Sequence, residues 1–301
     1  MQISEKVWFR KPLYPTLKRQ GFAMADMHVH TIYSDGFMSP KTLLKKARKL
    51  GIGLAVTDHN DIRAALQLAR EDIMFIPGIE VNSKTNKDTL LYFYKINDLK
   101  EFYEKHIAAY RFGWRRLRVR KTMTEILEDA EKYNCVKSLA HPYGYLTKNI
   151  IKTLNKRSEI MRLVDSIEIV NGGNTRRRNT KAISLAQENE KAFTAGTDSH
   201  SIGEFGKIVT FSYADGVESF LDNIRQRQNF VMGKESSKLR CTFEEGMRTG
   251  MKVGYPLERA GYRTKDAIKH SIERIKPGMG GLKSRINIRR TRNRLMRRVK
   301  L

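Results

Sequence analysis

Between residues 24 and 232, short apolar runs alternate with stretches whose apolar residues recur every three or four positions. Runs rich in Val, Ile, Leu and Phe predict strands at 24–29, 52–57, 73–81, 89–94, 136–140, 166–170 and 192–196. The intervening stretches predict helices near 61–70, 98–110, 122–133, 175–189 and 217–228. A further helix, after the first run, is marked at both ends. Ser39 caps it, Pro40 suits its first turn, Leu43, Leu44 and Ala47 form one face, and Gly51 ends it. The alternation predicts an α/β domain with a largely parallel sheet, closed or open.

Composition sets the limits of this domain. The 301 residues are 40% apolar, enough for a core, and suffice for one large domain with an extension. They divide into a lead-in (1–20), the α/β domain (21–233) and a basic C-terminal extension (234–301), expected to stay partly disordered until it binds. The lead-in carries charges and two prolines without an apolar stretch, so it does not read as a signal peptide. No run is long enough for a membrane span. Cys135 and Cys241 exclude a disulfide framework and a cysteine zinc cluster, which predicts a reducing cytoplasm.

Charge points to the partner. Lys and Arg total 58 against 32 Asp and Glu, a formal net charge of +26. The excess is clustered, and no acidic residue follows Glu273. Such clusters favour polyanions, with nucleic acid or nucleotides ahead of an anionic membrane surface. Residues 111–121 hold six basic residues, including Arg115 and Arg116, interleaved with Phe112 and Trp114. This suits either a track for single-stranded nucleic acid or a helix that packs its aromatics in the core. The run 285–298 is the stronger electrostatic footprint.

The candidate chemistry lies where the apolar runs end. Of the 7 histidines, five end a run or lie just past one: His28, His30, His59, His141 and His200. Glu80, Asn171 and Asp198 occupy the same place in other runs, and Asp35 follows the first. In α/β proteins such positions converge beyond the carboxyl ends of the strands. Imidazoles with carboxylates and no thiolate suit Mn, Zn or Fe, and a shared carboxylate suits a site with more than one ion. His106 and His270 fall in predicted helices and read as surface residues. Asp58 serves either to fix an imidazole or to cap a helix. Asn171 and the glycines beside it can admit a phosphate, and Arg176, Arg177 and Arg178 either clamp one or form a solvated helix face.

The ordered motifs Met-His-Val-His, Tyr-Ser-Asp-Gly, Val-Thr-Asp-His-Asn, Gly-Ile-Glu-Val, Ala-His-Pro and Gly-Thr-Asp-Ser-His resemble those of the polymerase and histidinol phosphatase (PHP) superfamily, over residues 25–206. The resemblance implies a distorted seven-stranded (β/α) barrel that hydrolyses phosphoesters with divalent ions. It implies that His28, His30, Glu80 and Asp198 hold one ion, that Asp35, His59 and His200 hold a second, and that Glu80 and His141 contribute to a third. Asp35, His59, Glu80 and His200 would then be the catalytic centre. Many members carry a histidine on the strand after the glutamate, whereas residues 88–94 have none, so two ions are expected and the third site is incomplete. With the basic segments, the resemblance implies an exonuclease or nucleotide phosphatase acting on nucleic-acid ends. A small-molecule phosphatase of the histidinol-phosphate kind and a non-catalytic nucleic-acid-binding barrel are the alternatives; the intact ligand set speaks against the last.

Overall fold

The alternating apolar runs become strands of one curled sheet in the computed structural model, which describes residues 2–113 and 117–235. In chain order the strands are β1 (Val7–Trp8), β2 (Ala23–Val29), β3 (Gly53–Val56), β4 (Phe75–Asn82), β5 (Asp88–Phe93), β6 (Arg111–Phe112), β7 (Arg118–Val119), β8 (Cys135–Leu139), β9 (Ser166–Asn171), β10 (Ala192–Gly196), β11 (Ile208–Ser212) and β12 (Phe230–Gly233). Ten of them form a sheet of order β1-β12-β11-β2-β3-β4-β5-β8-β9-β10, while β6 and β7 pair separately. The fold is mixed α/β.

The sheet is less parallel than the alternation predicts. β2, β3 and β4 run parallel, as do β8, β9 and β10. β5 is antiparallel to both its neighbours, and β11 to both of its own. The turn Ser83–Lys87 explains β5: Ser83 N donates to Lys87 O, which closes β4 and β5 into a hairpin. β11 and β12, which the pattern did not separate from their surroundings, extend the sheet beyond β2.

Curling brings the far edge back. Past the end of β10, Ser199 bridges Val29 of β2, and His30 N donates to Ser199 O at 3.0 Å. Gly196 permits this approach, because a Cβ there would lie 2.4 Å from the Cβ of His28. Inside the curl Ala25, Met27, Ala55, Ile76, Leu90 and Tyr92 pack with Phe220, Leu221 and Ile224 of the helix Val217–Arg225. That helix closes the end opposite the site. The larger apolar cluster lies between the sheet and the other helices, among them Pro40–Leu50, where Ser39 Oγ accepts from Thr42 N and Gly51 takes φ 65°.

The lead-in packs on this body: Ile3 is buried and β1 pairs in parallel with β12. His106 is half-buried rather than at the surface, 3.1 Å from Asp129 Oδ1. Of the described residues in 111–121, Arg111–Phe112 and Arg118–Val119 pair as the antiparallel strands β6 and β7 rather than forming a helix, and Arg118 and Arg120 are exposed. Arg111 is mostly covered there, 3.4 Å from Asp61 Oδ2 and donating to Tyr103 Oη at 2.7 Å. Trp114, Arg115 and Arg116 lie outside the described residues, as do Cys241, His270 and the rest of the extension beyond Glu235. Among the described residues no helix is long and apolar enough to cross a membrane.

Candidate metal centre

All eight expected ligands meet at one end of the curl. His28 lies in β2 and His30 just past its end, His59 follows β3, Glu80 sits in β4, His141 follows β8, and Asp198 and His200 follow β10. A register irregularity in β2 between Asp26 and Val29 changes which side chains face inward. Met27 therefore packs in the inner apolar cluster while His28 and His30 both reach the site. Two of the expected ligands hold backbone in the left-handed region, with φ 26° at His141 and 51° at Asp198.

Four donor atoms cluster as a cage in which two imidazole nitrogens each face both carboxylates. His28 Nε2 lies 3.1 Å from His30 Nε2, 3.4 Å from Glu80 Oε2 and 3.5 Å from Asp198 Oδ1. His30 Nε2 lies 3.3 Å from Glu80 Oε2 and 3.2 Å from Asp198 Oδ1. Tetrahedral ligands about 2.0–2.1 Å from a zinc-sized ion are separated by about 3.3–3.4 Å, so these spacings fit such an ion. Beside the cage, Asp35 Oδ1 is 3.3 Å from His200 Nε2, and Asp35 Oδ2 is 4.0 Å from His59 Nε2. Glu80 joins the two groups, because its Oε2 is also 3.0 Å from His59 Nδ1. Neither of those two atoms has a hydrogen-bond partner among the described residues. Buried polar atoms that face one another without hydrogen bonding suit ligands aimed at a common cation.

Electrostatics agree. Burial pushes the His28 and His30 pKa values down, yet the carboxylates around them more than reverse this. His28, beside Asp198, Glu168 and Glu80, is held well above its usual value, and His30, facing Asp198 and Glu80, rises to about 10. Burial raises Glu80 and Asp198, but His59 and His28 hold Glu80 well below the usual carboxylate range, and His28, His30 and His200 do the same for Asp198. Positive charge at the centre of this group is favoured whether protons or ions supply it.

A second ring of side chains fixes the ligands. Glu168, in β9, accepts from His28 Nδ1 at 2.9 Å and from His141 N at 2.8 Å. The Asn171 amide donates to Glu168 Oε2 at 3.0 Å and to Asp198 Oδ2 at 3.2 Å. Asn171 is buried and holds a ligand in place. Asp58 takes neither of its two expected roles directly: it accepts from Thr31 N, Thr31 Oγ1 and Ser34 Oγ, and Ser34 Oγ lies 3.4 Å from His30 Nδ1. It thus pins the loop that carries Asp35. The helix Arg63–Leu68 has Ile62 at its N-cap position, with Asp61 accepting from Arg63 N.

Glu168 and Asp88 escaped the motif reading. Glu168 interrupts an apolar strand, Ser-Ile-Glu-Ile-Val-Asn, and that interruption was its only local signal. Asp88 opens β5, and because β5 is antiparallel its start lies at the site end. Asp88 Oδ2 is 3.7 Å from His141 Nε2, which is itself 3.1 Å from Glu80 Oε1. A carboxylate thus stands in the stretch that lacks the expected histidine.

The three arginines diverge. The Arg176 side chain lies over the Phe9 ring and 3.1 Å from Glu235 Oε1, and Arg178 stacks on Tyr145 with its guanidinium carbon 3.5 Å from the ring centre. Arg177 is exposed.

A family model described as PHP-associated matches residues 176–229, the stretch that contains Asp198 and His200. The matched stretch is a small part of the chain, which is similar there to PHP-associated sequences. A 5′-3′ exoribonuclease of Salmonella typhimurium is 42% identical to this chain over 66 residues, 19% of the chain and 22% of that relative. The chain therefore aligns with about a fifth of that relative's length. Two solved structures are similar in fold. One is a two-domain protein of Bacteroides vulgatus that contains a predicted PHP-like metal-dependent phosphoesterase (TM-score 0.51, 18% identity, 74% of this chain and 69% of that one). The other is a lesion-specific endonuclease of Pyrococcus furiosus (TM-score 0.56, 16% identity, 70% of this chain and 57% of that one).

Proposed function

We propose that the protein hydrolyses phosphoesters at nucleic-acid ends or in nucleotides, using two divalent ions drawn from Mn, Zn and Fe. The observation that carries this reading is the cage of His28, His30, Glu80 and Asp198, joined through Glu80 to His59 and the Asp35–His200 group. Ions held there supply Lewis acidity, which makes water a nucleophile near neutral pH and neutralises phosphoryl oxygens. The chain's own groups prepare the site. Glu168 fixes the tautomer of His28 so that Nε2 faces inward, Asn171 holds Asp198, and Asp58 holds the Asp35 loop. The seven strands β2, β3, β4, β5, β8, β9 and β10 act as a distorted barrel, with β11, β12 and β1 appended outside β2.

Nucleic acid is favoured as substrate by the net charge of +26. The named activities of the exoribonuclease and the endonuclease agree with it. Residues 21–233 would then be the catalytic body and 234–301 a basic extension that gathers polyanions. A screen of 5′- and 3′-phosphorylated oligonucleotides beside small phosphomonoesters, with Mn²⁺ supplied, tests this. Turnover of oligonucleotide ends that falls steeply with salt is expected. Turnover confined to small phosphomonoesters would move the reading to a small-molecule phosphatase, and a folded chain that retains no metal would end the enzymatic one.

A further inference from the structure

Next to the two-ion centre is a third group of inward-facing donors. Glu80 Oε1, His141 Nε2 and Asp88 Oδ2 follow one another at 3.1 and 3.7 Å, all on buried residues. Asp88 Oδ1 is buried with no hydrogen-bond partner among the described residues. Two carboxylates and an imidazole in this arrangement call for a cation, and the chain supplies one. Lys148 Nζ donates to Asp88 Oδ2 at 2.5 Å, in a side chain that keeps 29% of its surface in solvent.

The position of Lys148 is built rather than incidental. It ends the 3₁₀ turn Leu146–Lys148, and Lys87 Nζ donates to the carbonyls on both sides of it, Thr147 O and Asn149 O. Asn86 Nδ2 donates to Thr147 Oγ1 at 2.6 Å. Gly144 leaves room for the arrangement, since a Cβ there would lie 3.0 Å from the Cβ of Lys148 and 3.2 Å from His141 Nδ1. Burial lowers the ammonium's pKa, but Asp88, Glu80 and Asp35 outweigh it and hold the pKa above its usual value.

We propose that Lys148 is the third cation of this centre: its ammonium occupies the place beside Asp88, His141 and Glu80, excludes an ion there, and faces a phosphoryl oxygen of the substrate. This deepens the two-ion reading and rests on it. An ammonium binds phosphate as a point charge with freely turning donors, so it tolerates a range of phosphoryl orientations.

The test uses the full-length chain, stripped of metal and equilibrated with saturating Mn²⁺, with ions counted per chain by elemental analysis. Two ions are expected in the wild type and in Lys148→Arg, and three in Lys148→Met. Inorganic phosphate, titrated calorimetrically at two ions per chain, should bind Lys148→Met about tenfold more weakly than wild type, while Lys148→Arg keeps most of the affinity. Should Lys148→Met fail to fold, Lys148→Gln gives the same count. Three ions in the wild type overturn the assignment and leave the metal-dependent reading standing. So does a Lys148→Met protein that holds two ions and binds phosphate like wild type. No ion in any variant overturns both.

Discussion

The two ends of the curled sheet are built from the same strands and could hardly be filled more differently. At one end Phe220, Leu221 and Ile224 close the interior with apolar volume alongside Ala25, Met27 and Leu90. At the other, imidazoles and carboxylates of comparable burial crowd together, most of them on residues just past a strand end. The apolar end gains by removing hydrocarbon from water and loses nothing by being empty of charge. The polar end is costly to desolvate and becomes favourable only when its charges are balanced. One end therefore sets stability, and the other sets chemistry and depends on what it binds.

Four changes separate the ends. Asp198→Ala removes one corner of the cage. Phosphoester hydrolysis should drop on the order of a thousandfold or more, beyond the ten- to hundredfold usual for groups behind the ligands, with the circular dichroism spectrum unchanged. Phe220→Ala leaves a cavity in the apolar end and should cost about 3–5 kcal/mol in denaturant unfolding, with the folded fraction still loading two ions. A large loss of metal in that variant would show that the ends are coupled.

Glu168→Gln keeps the shape and removes the charge behind His28. Metal affinity should fall roughly 10- to 100-fold in competition with a chelator, with stability of the metal-loaded protein near wild type. The smallest effect is one of pH. In metal-free protein His28 and His30 are raised above their unfolded values, so the stability they contribute is complete below pH 6.5 and is lost as pH rises toward about 10, the pKa of His30. Ions replace those protons and bind more tightly as pH rises. The melting temperature of loaded protein should therefore pull away from that of stripped protein between pH 6.5 and 10, and a constant gap would remove protons from the account of this end.

Much of the polar end was legible because its expected ligands follow local rules. His28 and His30 close one apolar run, His59 and His141 follow others, and the Ser39 to Gly51 helix carries its own start and stop signals. The strands appear within a residue or two of the apolar runs, with β10 at 192–196 as expected. β11 and β12 were missed because each is short and adjoins a helix or a loop of similar composition. Asp58 was misread because its partners, Thr31 and Ser34, are distant in sequence. The resemblance to PHP proteins was likewise legible, since the order of motifs stands in the chain even where overall identity to solved structures of similar fold is low.

By itself the sequence determined the α/β character, the donors at strand ends and the strong positive charge, since each follows from residue type and spacing along a short stretch. Tertiary structure alone decided that β5 runs antiparallel, and so that its first residue, Asp88, belongs to the site. It also turned Glu168 onto His28 and brought Lys148 down onto Asp88. The physical reason is the same in each case. Strand direction, the face a buried acid points to and the partner of a loop lysine are set by pairings between segments tens of residues apart, and no local pattern encodes them.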